Sequence, residues 1–95
     1  MLEKEIESRM RKMVRERKGL FYKFVSPGNR GVPDRIVITP QGVVWFVELK
    51  TTTGKLSAIQ KHRKSELEKC GANVRAVFGW DAAKQFIEEV MGDGI

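Results

Sequence analysis

The chain has 95 residues, is 41% hydrophobic and 32% charged, and carries a formal net charge of +6. Those figures fit one small domain with a single core and exclude a fibrous or membrane-spanning class. The longest apolar run, residues 43–47, is far too short for a bilayer, and the single cysteine, Cys70, excludes an internal disulfide and a cysteine-based zinc site.

The N-terminus, Met1-Leu2-Glu3-Lys4-Glu5, is charged and lacks the apolar segment of a secretory signal, so a cytoplasmic protein is expected. The basic balance favours a polyanionic partner. Its cations gather in residues 9–18 and 61–64, runs that by themselves describe solvated helix faces. Cys70 is expected as a small buried hydrophobe near a helix end.

In chain order, Leu2, Ile6, Met10, Met13 and Val14 recur at steps of three and four, which predicts an amphipathic helix over residues 2–17 ended by Gly19. A strand follows over 20–25, with Lys23 interrupting its apolar character. Residues 26–31, Ser-Pro-Gly-Asn-Arg-Gly, form a dense turn cluster, and Pro33 keeps Val32 extended. A second strand over 35–39 and a third over 43–50 are joined by the Pro40-Gln41-Gly42 turn as a hairpin. The third strand is apolar on both faces until Glu48, so it is expected to be central, with helices on both sides of the sheet.

After the polar loop 51–56, Ser57 and Gln60 form the two ends of a capping box opening a helix that runs to about Cys70, with Gly71 as its left-handed terminator. A fourth strand over 74–78 and a last helix capped by Asp81 complete the chain, leaving a frayed tail over 92–95. The order αβββαβα, with a hairpin and then a strand-helix-strand crossover, predicts an α/β fold with a mixed sheet flanked by helices.

The residues with chemistry converge at one point of that layout. Asp34 begins the second strand and Glu48 ends the third, and in a hairpin those positions are neighbours. Lys50 shares the face of Glu48, because side chains alternate along a strand. Two anions so close repel unless one takes a proton or a divalent cation lies between them. Mg²⁺ or Mn²⁺ fits such hard oxygen donors, and the Leu49 carbonyl is a third candidate ligand. Lys50 is then placed to orient or help deprotonate a water, or to neutralise charge on a scissile phosphate. That is phosphodiester hydrolysis chemistry. An ordinary ion-pair cluster at a sheet edge accounts for any one of the three residues, but less well for all of them together.

Pro33-Asp34 followed by Glu48-Leu49-Lys50, on an αβββαβ frame with a C-terminal helix, resembles the PD-(D/E)XK nuclease superfamily. The run Gly31-Val32-Pro33-Asp34-Arg35, with Gly54, Leu56, Ser57 and Gln60, resembles its VRR-Nuc family in the stand-alone form of phages and bacteria. The resemblance covers nearly the whole chain. It implies metal ligation by Asp34 and Glu48, Lys50 as catalytic lysine and Gln60 as a supporting active-site residue. It also implies a first-helix glutamate turned toward the metal, for which Glu7 is the better match and Glu3, one turn earlier, the second.

Lys23, Arg30, Arg35 and Lys61 are the candidate DNA contacts. The loop 27–31 is open to two readings, a phosphate cradle or a plain tight turn, whereas Gln60 can serve as helix cap and phosphate contact at once. His62 reads as a solvated or phosphate-near side chain rather than a metal ligand or general base. The function so implied is metal-dependent, structure-selective DNA cleavage, in its fullest form four-way (Holliday) junction resolution by a homodimer, in a bacterial or phage-infected cell. Apolar residues left over on the first or last helix would supply the interface. Flap cutting or nicking by the same fold, and a non-catalytic basic nucleic-acid-binding module, are the alternatives.

Overall fold

The computed structural model describes residues 1–92, so the expected tail lies, beyond Gly92, outside the described residues. The elements are α1 (Glu3–Glu16), β1 (Leu20–Lys23), β2 (Arg35–Ile38), β3 (Val44–Lys50), α2 (Ala58–Lys69), β4 (Asn73–Phe78) and α3 (Trp80–Met91), in the order the sequence predicts. They build a four-stranded sheet ordered β1-β2-β3-β4. The first three strands meander antiparallel, and β4 joins β3 in parallel through the α2 crossover.

Register sorts the side chains into two faces. Phe21, Val37, Val47 and Val77 share one, against which α1 and α3 lay their apolar stripes. Ile6, Met10 and Val14 from α1 and Phe86 and Ile87 from α3 are no more than 2% exposed. Each such burial stabilises by about 1.5–3 kcal/mol against the entropy of ordering the chain.

The opposite face corrects the expectation of a doubly covered β3. Helix α2 packs beside β4 and buries none of its own residues, because its sequence, AIQKHRKSELEK, holds no apolar stripe. Leu20, Tyr22, Val43 and Val44 therefore stay 40–49% exposed at the uncovered end of the sheet, and Phe46 meets Phe24 edge to face at 5.9 Å. Cys70, at the end of α2, is exposed for the same reason rather than buried.

Two expected helix boundaries differ as well. Lys18, not Gly19, takes the left-handed conformation after α1, at φ 67. Gly19 is required by close approach instead, since a Cβ there would lie 2.9 Å from the Ile38 carbonyl oxygen. Gly79 is the N-cap of α3, and Asp81 falls within the first turn, where its charge still suits the helix dipole. The Pro40–Gly42 turn closes the hairpin as expected, with the Thr39 amide donating to the Val43 carbonyl at 2.9 Å.

Candidate active site

The hairpin register sets the centre of the site. Arg35 pairs with Val47, so Asp34, one residue before, falls opposite Glu48, one residue after. Glu48 is 7% exposed. Among the described residues, the ion pairs of this corner run between Arg35 and Asp34, Glu3 and Glu7, and Glu48 takes no part in them. Burial pushes its carboxyl up, and the charge of Asp34 adds to this. Lys50 and Arg35 partly offset the rise, Glu3 adds to it, and the result is about 7. A largely buried carboxylate opposite a second carboxylate is a setting in which a cation would be stabilising.

Backbone geometry supplies a further oxygen. The Lys50 carbonyl accepts from the Gly79 amide at 2.9 Å, toward the β4 side. Carbonyl directions alternate along a strand, so the Leu49 carbonyl points to the β2 side. There it lies past Arg35, the first residue of β2, where the ladder has ended. Among the described residues no three His, Cys, Asp or Glu side chains converge as a metal cluster. The oxygens that this corner could offer an ion are two carboxylates and a carbonyl, hard donors of the kind that suits Mg²⁺ or Mn²⁺ better than zinc.

Arg35 has a place that the sequence reading missed. It is 8% exposed and on the core-facing side of β2, not on the surface where a DNA contact would be. Its Nε donates to Glu7 Oε1 at 3.0 Å and its Nη1 to Asp34 Oδ1 at 2.6 Å, with Glu3 Oε1 3.3 Å from Nη1. Burial alone would lower its pKa; the hydrogen bond to Glu7 and the interactions with Asp34 more than offset this, and the net shift is upward. Two residues along the strand, Val37 faces the core, so alternation already put Arg35 inside and demanded a buried carboxylate for it.

That carboxylate is Glu7. It is 7% exposed, held by Arg35, and lies 4.0 Å from both Lys23 Nζ and Arg11. The structure thus gives Glu7 an ion-pair place on the α1 side of the sheet, while Glu48 and Lys50 lie on the other face. Glu3, half-buried near the Arg35–Asp34 pair, is the first-helix carboxylate that acts on Glu48.

Gln60 completes a full capping box: its Oε1 accepts from the Ser57 amide at 2.8 Å, and its own amide donates to Ser57 Oγ at 3.2 Å. Among the described residues its side-chain amide nitrogen donates to no acceptor. The turn cluster before β2 is docked onto α2. Gly31, at φ +83, lies so near the Ile59 backbone that a Cβ would come within 2.9 Å, and Arg63 Nε donates to the Arg30 carbonyl at 2.9 Å. Close packing thus accounts for Gly31, which ties Asp34 and Gln60 to one unit. The Arg30 and Lys61 side chains are exposed on it. His62 is exposed beside Glu66 at 3.4 Å.

No known family profile matches the chain. It is 43% identical over 72 residues, 76% of this chain and 77% of the relative, to a protein of Acyrthosiphon pisum secondary endosymbiont phage 1 named "Putative nuclease p44". A solved structure described as a VRR_NUC domain superposes with a TM-score of 0.83 at 32% identity, covering 90% of this chain and 94% of the other. A domain of that shape and these relatives, with the Asp34, Glu48 and Lys50 corner in place, make this chain a member of the VRR-Nuc family.

Proposed function

We propose that the chain is a divalent-metal-dependent endonuclease that hydrolyses phosphodiester bonds in branched DNA. The observation that carries this is the buried Glu48, in no ion pair among the described residues, opposite Asp34 and with Lys50 on the same face. Asp34, Glu48 and the Leu49 carbonyl would hold Mg²⁺ or Mn²⁺. When bound, the ion would acidify a water and screen the phosphate charge.

The remaining work belongs to side chains. Lys50 neutralises charge gathering on the phosphate oxygens or orients the attacking water. The free amide donors of Gln60 face phosphate oxygens at the start of α2. Arg35, fixed by Glu7, holds Asp34 in place, and Glu7 serves the metal through that arrangement. Lys23, Arg30 and Lys61 contact the DNA backbone, setting position rather than sequence.

Resolution of a four-way junction needs paired cuts, hence two sites related by a two-fold axis. No large apolar residue within α1 or α3 is exposed, so those helices offer little to a partner. The uncovered sheet face at Leu20, Tyr22 and Val44 supports a homodimer better. Flap cutting by the same site is the second reading, favoured by the basic seam of Arg9, Lys12 and Lys84 beside Trp80. Incubating labelled four-way junction and flap DNA with Mg²⁺, Mn²⁺ or chelator tests the proposal. Cleavage that needs the ion is expected, and cleavage undiminished by chelator contradicts it.

A further inference from the structure

Helices α1 and α3 run side by side. Arg17 Nε reaches the Gly92 carbonyl at 3.0 Å where they end, and Arg9 lies over the Trp80 ring at 5.7 Å nearer their starts. The seam between them opens into a groove of about 310 Å³, walled by Arg9, Lys12 and Lys84, with Met13 and Trp80 as its apolar surface. Glu16 is the one carboxylate of the lining, beside Arg17. Arg9, Lys12 and Lys84 take part in no ion pair among the described residues, whereas Arg11, on the neighbouring face of α1, is paired with Glu7.

The place of this groove matters as much as its charge. Trp80 directly follows Gly79, whose amide donates to the Lys50 carbonyl at 2.9 Å. The Trp80 end of the groove therefore lies toward the sheet end that carries Glu48 and Lys50, on the opposite layer. A strand leaving the cleavage site across that end would pass onto the α1/α3 seam.

We propose that this groove binds an unpaired DNA strand, with a base stacked on Trp80 and the flanking phosphates held by Arg9, Lys12 and Lys84. A cationic channel beside an aromatic ring is the recognition chemistry of single strands. A duplex keeps its bases stacked internally and cannot use the indole. The contact between the exposed Arg9 and the half-buried Trp80 is a cation–π pair at 5.7 Å, weaker than base stacking, so a base on the open part of the indole displaces the guanidinium and frees it for phosphate. The groove's use rests on the nuclease reading above, and it selects branches that carry a loose strand; its binding does not depend on cleavage.

The test uses the full chain with Trp45→Phe, which leaves Trp80 as the only tryptophan. Titrating oligothymidylate in chelator should quench Trp80 fluorescence, and duplex of equal charge should quench far less. Lys12→Glu with Lys84→Glu, both exposed, should weaken binding by roughly tenfold or more and flatten its salt dependence. With Mg²⁺ or Mn²⁺, the same double variant should lose about tenfold more cleavage rate on flapped branches than on flap-free junctions, and an equal loss on both would overturn the proposal. Absent quenching, unchanged affinity of the double variant, equal quenching by duplex, or equally tight binding of polyglutamate would each overturn the proposal. Quenching that depends on Lys12 and Lys84, in a protein that cuts no DNA with either ion, supports the groove and sinks the nuclease reading alone.

Discussion

At the scale of single residues, Glu48 carries the sharpest consequence. Its carboxyl is raised from 4.5 to about 7 in the folded chain. A raised folded pKa gives stability that is full below the unfolded value and is lost as pH rises through the folded one. Without metal, the protein should therefore lose stability between about pH 4.5 and 7 through this group, on the order of 2–3 kcal/mol. Glu48→Gln removes the loss, so urea unfolding in chelator should find the variant the more stable chain at pH 8 and nearly equal to wild type at pH 4.5. Added Mg²⁺ should narrow the gap at pH 8 by stabilising wild type alone. A difference that does not vary with pH would place Glu48 in an ordinary solvated setting.

Lys50 makes a different demand. Its replacement by alanine should lower the cleavage rate by roughly a hundred-fold or more, the scale for losing a positioned electrostatic or acid-base group. Affinity for DNA should stay within a few-fold, because one cation among many sets only part of the salt-dependent term. Parallel loss of affinity and rate would make Lys50 a phosphate anchor.

Among the elements, α1 is clamped to β2 by the Glu7–Arg35 pair as well as by its apolar stripe. Arg35→Met leaves Glu7 buried with, among the described residues, the exposed Lys23 and the half-buried Arg11 as its nearby cations, each 4.0 Å away, so it should destabilise by about 3 kcal/mol. The double variant with Glu7→Gln should recover much of that in urea unfolding. Strict additivity of the two changes would mean the pair is not coupled.

The element order, the hairpin, the Ser57–Gln60 box and the Asp34–Glu48 juxtaposition were legible because each follows from local pattern: periodicity, turn residues and strand alternation. The buried place of Arg35 was legible in principle from the same alternation, but its charge suggested the surface. Half-coverage of the sheet was not legible from β3 alone, whose apolar residues read the same under one helix or two. It is α2, with no apolar stripe, that leaves Tyr22 and Val44 exposed. The α1/α3 groove joins Arg9 and Lys12 to Trp80 and Lys84 across most of the chain's length, a proximity no local pattern encodes.

For the whole molecule, the uncovered sheet face and the need for paired cuts point the same way. Light scattering should give about twice the 10.9 kDa chain mass, since two-fold dimers are the commonest closed assembly. Tyr22→Lys with Val44→Lys should yield monomers that nick a junction without resolving it, while a dimer unaffected by both changes would move the interface elsewhere.

The central claim, hydrolysis at the Asp34–Glu48–Lys50 corner with a divalent ion, meets its most direct test in one paired measurement. Wild type and Asp34→Asn are each given labelled branched DNA with Mg²⁺, and binding and cleavage are followed in the same samples. Both should bind with similar affinity, and only wild type should cut, the variant falling by at least about a hundred-fold. Cleavage by Asp34→Asn at the wild-type rate would contradict the account.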